Sequence, residues 1–126
     1  MEGVYIIKSL LSGETVTYTG QYYSVQDLSV PKTSQHPHPP LLLGGGSKRV
    51  LSLAAREADI VSFNIRTTPE GGFDPGSLTP EATRQKLDWV LQAGSDRMSQ
   101  IEFNILCSKA AVTDNPLRKA EEFVAE

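Results

Sequence analysis

Between Gly44 and Arg49 the chain sets three glycines, a serine and two cations in a row, Gly44-Gly45-Gly46-Ser47-Lys48-Arg49. Residue types in that order suit the capture of a small anion. Glycines ahead of a helix leave backbone N–H groups free to converge on one oxyanion, and the helix dipole favours negative charge there. Ser47 adds a hydroxyl. Lys48 and Arg49 in a first helical turn oppose the dipole at ~0.3–1 kcal/mol each. Two together point to an anion held nearby, most simply a phosphate. The same glycines would also serve close strand–helix packing, with both long side chains in solvent, and the residues alone leave both readings open. The spacing is not that of a P-loop, and no G-x-G-x-x-G occurs.

The surrounding pattern supplies the elements that would hold this turn. Leu41–Leu43 is an unbroken apolar run, which predicts a strand over 41–45 buried on both faces of a parallel sheet, with the glycines turning the chain at its end. Ser47 is a good N-cap. Val50, Leu51, Ala54 and Ala58 then recur on one helical face, which Leu53 and Ala55 widen. Asp59–Asn64 reads as the next strand, completing a βαβ unit with a right-handed crossover.

Upstream, Val4, Ile7, Leu10 and Leu11 fall at helical spacing, and Ser12-Gly13 ends the pattern. Val16–Val25 predicts a hairpin turning at Gly20-Gln21, with Tyr22 and Tyr23 in its second strand. Pro31–Pro40 predicts an extended connector. His36 and His38 lie two apart there, but no neighbouring Cys, His or acidic cluster completes a metal site, so no metal is expected. Downstream, Arg66–Leu78 predicts a glycine- and proline-bearing loop. Thr79-Pro80 opens a helix with Leu87, Val90 and Leu91 buried, Ala82 and Lys86 at the margin, Trp89 beside the stripe and Gly94 at its end. Residues 101–107 predict a third strand with Ile101, Phe103, Ile105 and Cys107 on one face, Cys107 as a small buried hydrophobe. Asn115-Pro116 starts a last helix.

Taken together, Gln35-His36-Pro37-His38-Pro39-Pro40, Leu41–Gly46, Arg49-Val50-Leu51 and Ala54–Val61 resemble the luciferase-like monooxygenases. Leu10–Val16 and Gly20–Tyr23 resemble that family's segment ahead of the late strands, and the likeness spans about Val4 to Val112. It implies an α/β fold, a partial TIM (β/α)8 barrel keeping its last three parallel strands, 41–45, 59–64 and 101–107, with a small β-hairpin insertion outside the barrel. It also implies FMN or coenzyme F-420 as cofactor, with the phosphate received at Gly44, Gly45, Gly46 and Ser47, and the residues themselves add Lys48 and Arg49 as cations beside it. No catalytic residue carries over, because the ring system holds the chemistry and the strands around it would lie elsewhere.

At 126 residues the chain is short for a whole barrel of ~250. It is expected to be a single incomplete domain: a helix end, hairpin and Pro-rich connector over 1–38, then βα units over 39–126. Both ends fall inside expected elements, which predicts a piece of a larger oxidoreductase, inactive alone. The alternative is a non-enzymatic α/β module that binds a phosphate-bearing ligand or a partner protein. A net charge of −3 without a basic cluster argues against nucleic acid. No apolar run approaches membrane length, no cleavable leader is evident, and a single cysteine suits a reducing cytoplasm. Three strands would expose two parallel edges, so a homo-oligomer or a complementing chain is expected to cover them.

Overall fold

A computed structural model describes residues 1–106 and 110–125. The first helix, α1 (Glu2–Leu11), ends at Ser12, and Gly13 takes φ +82° to turn the chain out. Its inward residue is Ile6, while Ile7 is half exposed, so the buried face is rotated from the one expected. The hairpin pairs β1 (Val16–Thr19) with β2 (Ser24–Leu28), antiparallel and in a sheet of its own. Tyr22 and Tyr23 do not enter the second strand. The Glu2 carboxylate accepts hydrogen bonds from the amides of Gln21, Tyr22 and Tyr23 at 2.9, 3.0 and 3.1 Å, and this long-range contact makes 20–23 the turn. Residues 29–41 then run without helix or strand.

The centre is a parallel three-stranded sheet in the order β3 (Leu42–Gly45), β4 (Ile60–Phe63), β7 (Glu102–Ile105). It is joined by α2 (Lys48–Glu57) and α3 (Pro80–Ala93), an arrangement consistent with part of an α/β barrel. Between β4 and α3, the expected loop contains a short antiparallel pair, β5 (Arg66–Thr67) with β6 (Phe73–Asp74), and a 3₁₀ turn over Pro75–Leu78. A second 3₁₀ turn (Ser95–Gln100) leads into β7, and α4 (Pro116–Ala125) follows.

Alternation along the strands divides the sheet into two faces. Leu43, Val61 and Phe63 face the helices, where Leu51, Ala54, Ala55, Ala58, Val61, Val90 and Ile101 form the core, with Trp89 packed against it. Burying these side chains stabilises the unit by about 25 cal/mol per Å² of apolar area. Leu42, Gly44, Ile60, Ser62 and Asn104 belong to the other face. Leu42 is 50% exposed, so the Leu41–Leu43 strand is covered on one face and not on two. β7 is open as well: Phe103 stacks on Phe63 with ring centroids 5.6 Å apart, yet Phe103 and Ile105 remain largely exposed. Cys107 lies outside the described residues.

In α3 the buried side chains are Lys86 and Val90, while Leu91 is 43% exposed. The helix is turned relative to the predicted stripe because the Lys86 ammonium finds acceptors beneath the preceding loop. Thr79 caps the helix as its type predicts, accepting from the Ala82 amide at 3.2 Å. Among the described residues no helix is long and apolar enough to cross a membrane.

Candidate functional site

The glycine turn sits at the C-terminal ends of β3 and β4, the side on which parallel α/β proteins place ligands. Gly44 and Gly45 belong to the strand, in register with Ser62 and Phe63, so the turn proper begins at Gly46. None of the three glycines has a positive φ. What each lacks is room. An added Cβ would lie 2.8 Å from the Asn64 side-chain nitrogen at Gly44 and 2.6 Å from Val50 Cγ1 at Gly45. At Gly46 it would lie 2.6 Å from both the Cα and the N of Arg66. Close packing within the chain therefore accounts for the three glycines themselves.

The amides after them are a different matter. Ser47 is the N-cap of α2 and its hydroxyl accepts from the Val50 amide at 3.4 Å. Among the described residues, the amides of Lys48 and Arg49 have no acceptor, and their side chains are exposed with no carboxylate partner. The first turn of α2 carries no acidic residue. The result is the positive end of a ten-residue helix, unpartnered and reinforced by two cations.

The wall of this turn is the loop after β4. The Arg66 amide donates to Ser77 Oγ at 2.8 Å, and the Ser77 hydroxyl donates to the Asp74 carbonyl at 2.7 Å. Arg66 also grips Asp74 through Nε and Nη2, at 3.0 and 2.6 Å to the same carboxylate oxygen. Below them, Lys86 Nζ donates to the Asn64 carbonyl at 2.8 Å and the Ser77 carbonyl at 2.6 Å, with its side chain buried. Desolvation, then the nearby Arg66 guanidinium, lower the Lys86 pKa, and Asp74 opposes them. The Arg66 hydrogen bond is the main cause holding the Asp74 carboxyl below the usual range.

On the open face of the sheet a short polar row crosses the strands. The Ser62 hydroxyl lies 2.8 Å from Asn104 Oδ1 and 3.2 Å from Asn64 Oδ1. The sequence did not single out this row, and it placed Lys86 only at the margin of the α3 stripe. In the sequence, Ser62, Asn64 and Asn104 are marked only as polar residues at alternate positions in or beside largely apolar segments. Nothing local marked Lys86, since its acceptors are nine and twenty-two residues away.

His38 lies beside Asp59, with Nδ1 3.9 Å from a carboxylate oxygen that already accepts from the Leu41 amide at 2.8 Å. No three His, Cys, Asp or Glu side chains among the described residues come together as a metal site. A cleft of about 340 Å³ between α1 and α2, bridged by Lys8 Nζ and Glu57 Oε2 at 2.8 Å, has none of residues 44–49 in its lining.

The family model for luciferase-like monooxygenases matches residues 1–73. The chain belongs to the luciferase-like monooxygenase family.

Proposed function

We propose that this chain is part of a flavin- or deazaflavin-dependent oxidoreductase and that its share of the work is to hold the cofactor phosphate at Gly44–Arg49. The observation that carries the reading is the unpartnered α2 N-terminus, with Lys48 and Arg49 exposed beside it and no acidic residue in the turn. A phosphate of FMN or the phosphodiester of coenzyme F-420 fits that donor set. The spaces at Gly44–Gly46 are filled by the chain itself, so contact falls to the amides and side chains of 46–49. When bound, the ring system supplies the redox chemistry. The residues of this chain bind and orient the phosphate end.

The architecture fits three late strands of a (β/α)8 barrel. Both outer strands, β3 and β7, have an unpaired edge among the described residues, and Leu42 and Ile105 are exposed. A second copy or a complementing chain pairs with those edges and completes the ring pocket, which makes the chain inactive alone.

The test is an NMR titration of the isotope-labelled chain with inorganic phosphate, FMN and coenzyme F-420. The amides of residues 44–49 are expected to shift, with a Kd of about a millimolar, since most of the ligand's apolar contact is missing. Affinity should fall as salt is added. Shifts that cluster elsewhere while these amides stay still would overturn phosphate capture at this turn.

A further inference from the structure

Lys86 is the only buried charged side chain among the described residues, at 4% exposure. Its place on α3 would suit an apolar residue, and burying an ammonium is costly unless it is well partnered. Two backbone carbonyls partner it. One, Asn64 O, lies just after β4, and the other, Ser77 O, lies at the far end of the following loop. The ammonium thus clasps the two ends of that loop together.

What the clasp fixes is the wall behind the glycine turn. Ser77, held through its carbonyl by Lys86, accepts the Arg66 amide on its hydroxyl. The Arg66 backbone N and Cα, with the Ile65 carbonyl carbon, fill the space where a Gly46 side chain would be. Contact therefore runs from Lys86 through Ser77 and Arg66 to Gly46 without a gap.

We infer that Lys86 is a positioning residue for the Gly46–Arg49 turn, acting through Ser77 and the Arg66 backbone. Its effect on binding rests on the phosphate reading above, but its effect on the turn does not. An apolar residue of equal length would fill the volume and leave two carbonyls without a donor, which frees the loop to shift.

The experiment compares the whole labelled chain with Lys86→Met, Lys86→Arg and Ser77→Ala, first without ligand and then with inorganic phosphate. Without ligand, Lys86→Met is expected to move the Gly46, Ser47 and Arg66 amide resonances and leave those at the Glu57 end of α2 in place. Ser77→Ala, which removes the acceptor of the Arg66 amide itself, should move the same resonances at least as far. Phosphate affinity should fall about tenfold in Lys86→Met, as is usual when the support of a binding group is removed. Lys86→Arg, which keeps the donors, should recover most of it. Unmoved Gly46 and Arg66 amides in Lys86→Met overturn the inference, even if affinity drops. Should that variant fail to fold, unmoved Gly46 and Ser47 amides in Ser77→Ala overturn it equally, since the Arg66 amide there loses its own acceptor. If wild type shows no phosphate shift while the variants still move Gly46, positioning stands and the phosphate reading falls.

Discussion

Two turns of this chain gather backbone N–H groups around a point, one after Gly20 and one after Gly46. At the first, the amides of Gln21, Tyr22 and Tyr23 all donate to the Glu2 carboxylate, and those bonds, Tyr22 foremost, lower its pKa. At the second, the amides of Lys48 and Arg49 meet no acceptor among the described residues, and cations stand where an acid would complement the helix. The hairpin turn has its anion built in and serves to fasten α1 to β1 and β2. The α2 turn has the same need unmet by the chain. Backbone donors of one kind become structure or site according to whether the sequence also provides the acceptor.

The comparison breaks most readily at Gly46. Gly46→Ala drives a methyl into the Arg66 backbone, which cannot swing aside as a side chain can. The expected loss is about 1–3 kcal/mol of unfolding free energy, as for other overpacked sites, measured by denaturant titration. Gly45→Ala meets the Val50 side chain instead and should cost less. Equal stability for Gly46→Ala and wild type would show that the wall behind the turn yields.

Lys48→Glu sharpens the contrast by giving the α2 turn an acid of its own. The unliganded helix should gain ~0.3–1 kcal/mol from the dipole, while the phosphate-induced shifts at 46–49 disappear. Opposite signs in stability and binding identify Lys48 as a ligand-facing cation. Loss of both would identify it as structural.

Glu2→Gln removes the built-in anion from the other turn. Hydrogen exchange at Gln21, Tyr22 and Tyr23 should quicken by roughly a factor of a few, because charge-assisted bonds are about twice as strong as neutral ones. Exchange at Val50 and Leu51, in α2, should not change.

Acid should separate the turns with the smallest effect of all. A carboxylate with a lowered folded-state pKa stabilises the fold above its unfolded pKa, and that contribution is lost as pH falls through the folded value. The 21–23 amides should therefore loosen below the ordinary carboxylate range. The Arg66 amide, held by the Ser77 hydroxyl, should persist through the same titration, even as protonation of Asp74 weakens its grip on the Arg66 side chain.

The contrast also separates what could be read from the sequence from what could not. The βαβ unit was legible because its signals are local: an apolar run, an N-cap serine and small residues at helical spacing. The same holds for Thr79 and Gly94 at the ends of α3. Two features escaped and a third stayed open because their causes are distant in sequence. Tyr22 and Tyr23 have strand-forming side chains, yet Glu2 draws them into a turn. Lys86 looks marginal until the Asn64 and Ser77 carbonyls are brought over it. For the glycines, packing was one of two open readings, but the neighbours that decide it, Val50, Asn64 and Arg66, come together only after folding. At the site, the strand over 41–45 and the N-cap at Ser47 were legible, while the groups that close on Gly44, Gly45 and Gly46 were not.

The polar row on the open face has a consequence that follows from counting protons. Ser62 has one to give, and two carboxamide oxygens lie within reach of it, at 2.8 and 3.2 Å. Only the nearer, on Asn104, can take it fully. Asn64 is best served with its amide rotated by half a turn, nitrogen toward the serine lone pair. The row then has a direction, donor to acceptor, running from Asn64, just after β4, through Ser62 to Asn104 in β7. Reversing the direction means rotating both amides together with the hydroxyl. The three side chains are thus coupled through one hydroxyl, and turning either amide changes what the Ser62 proton can be given to.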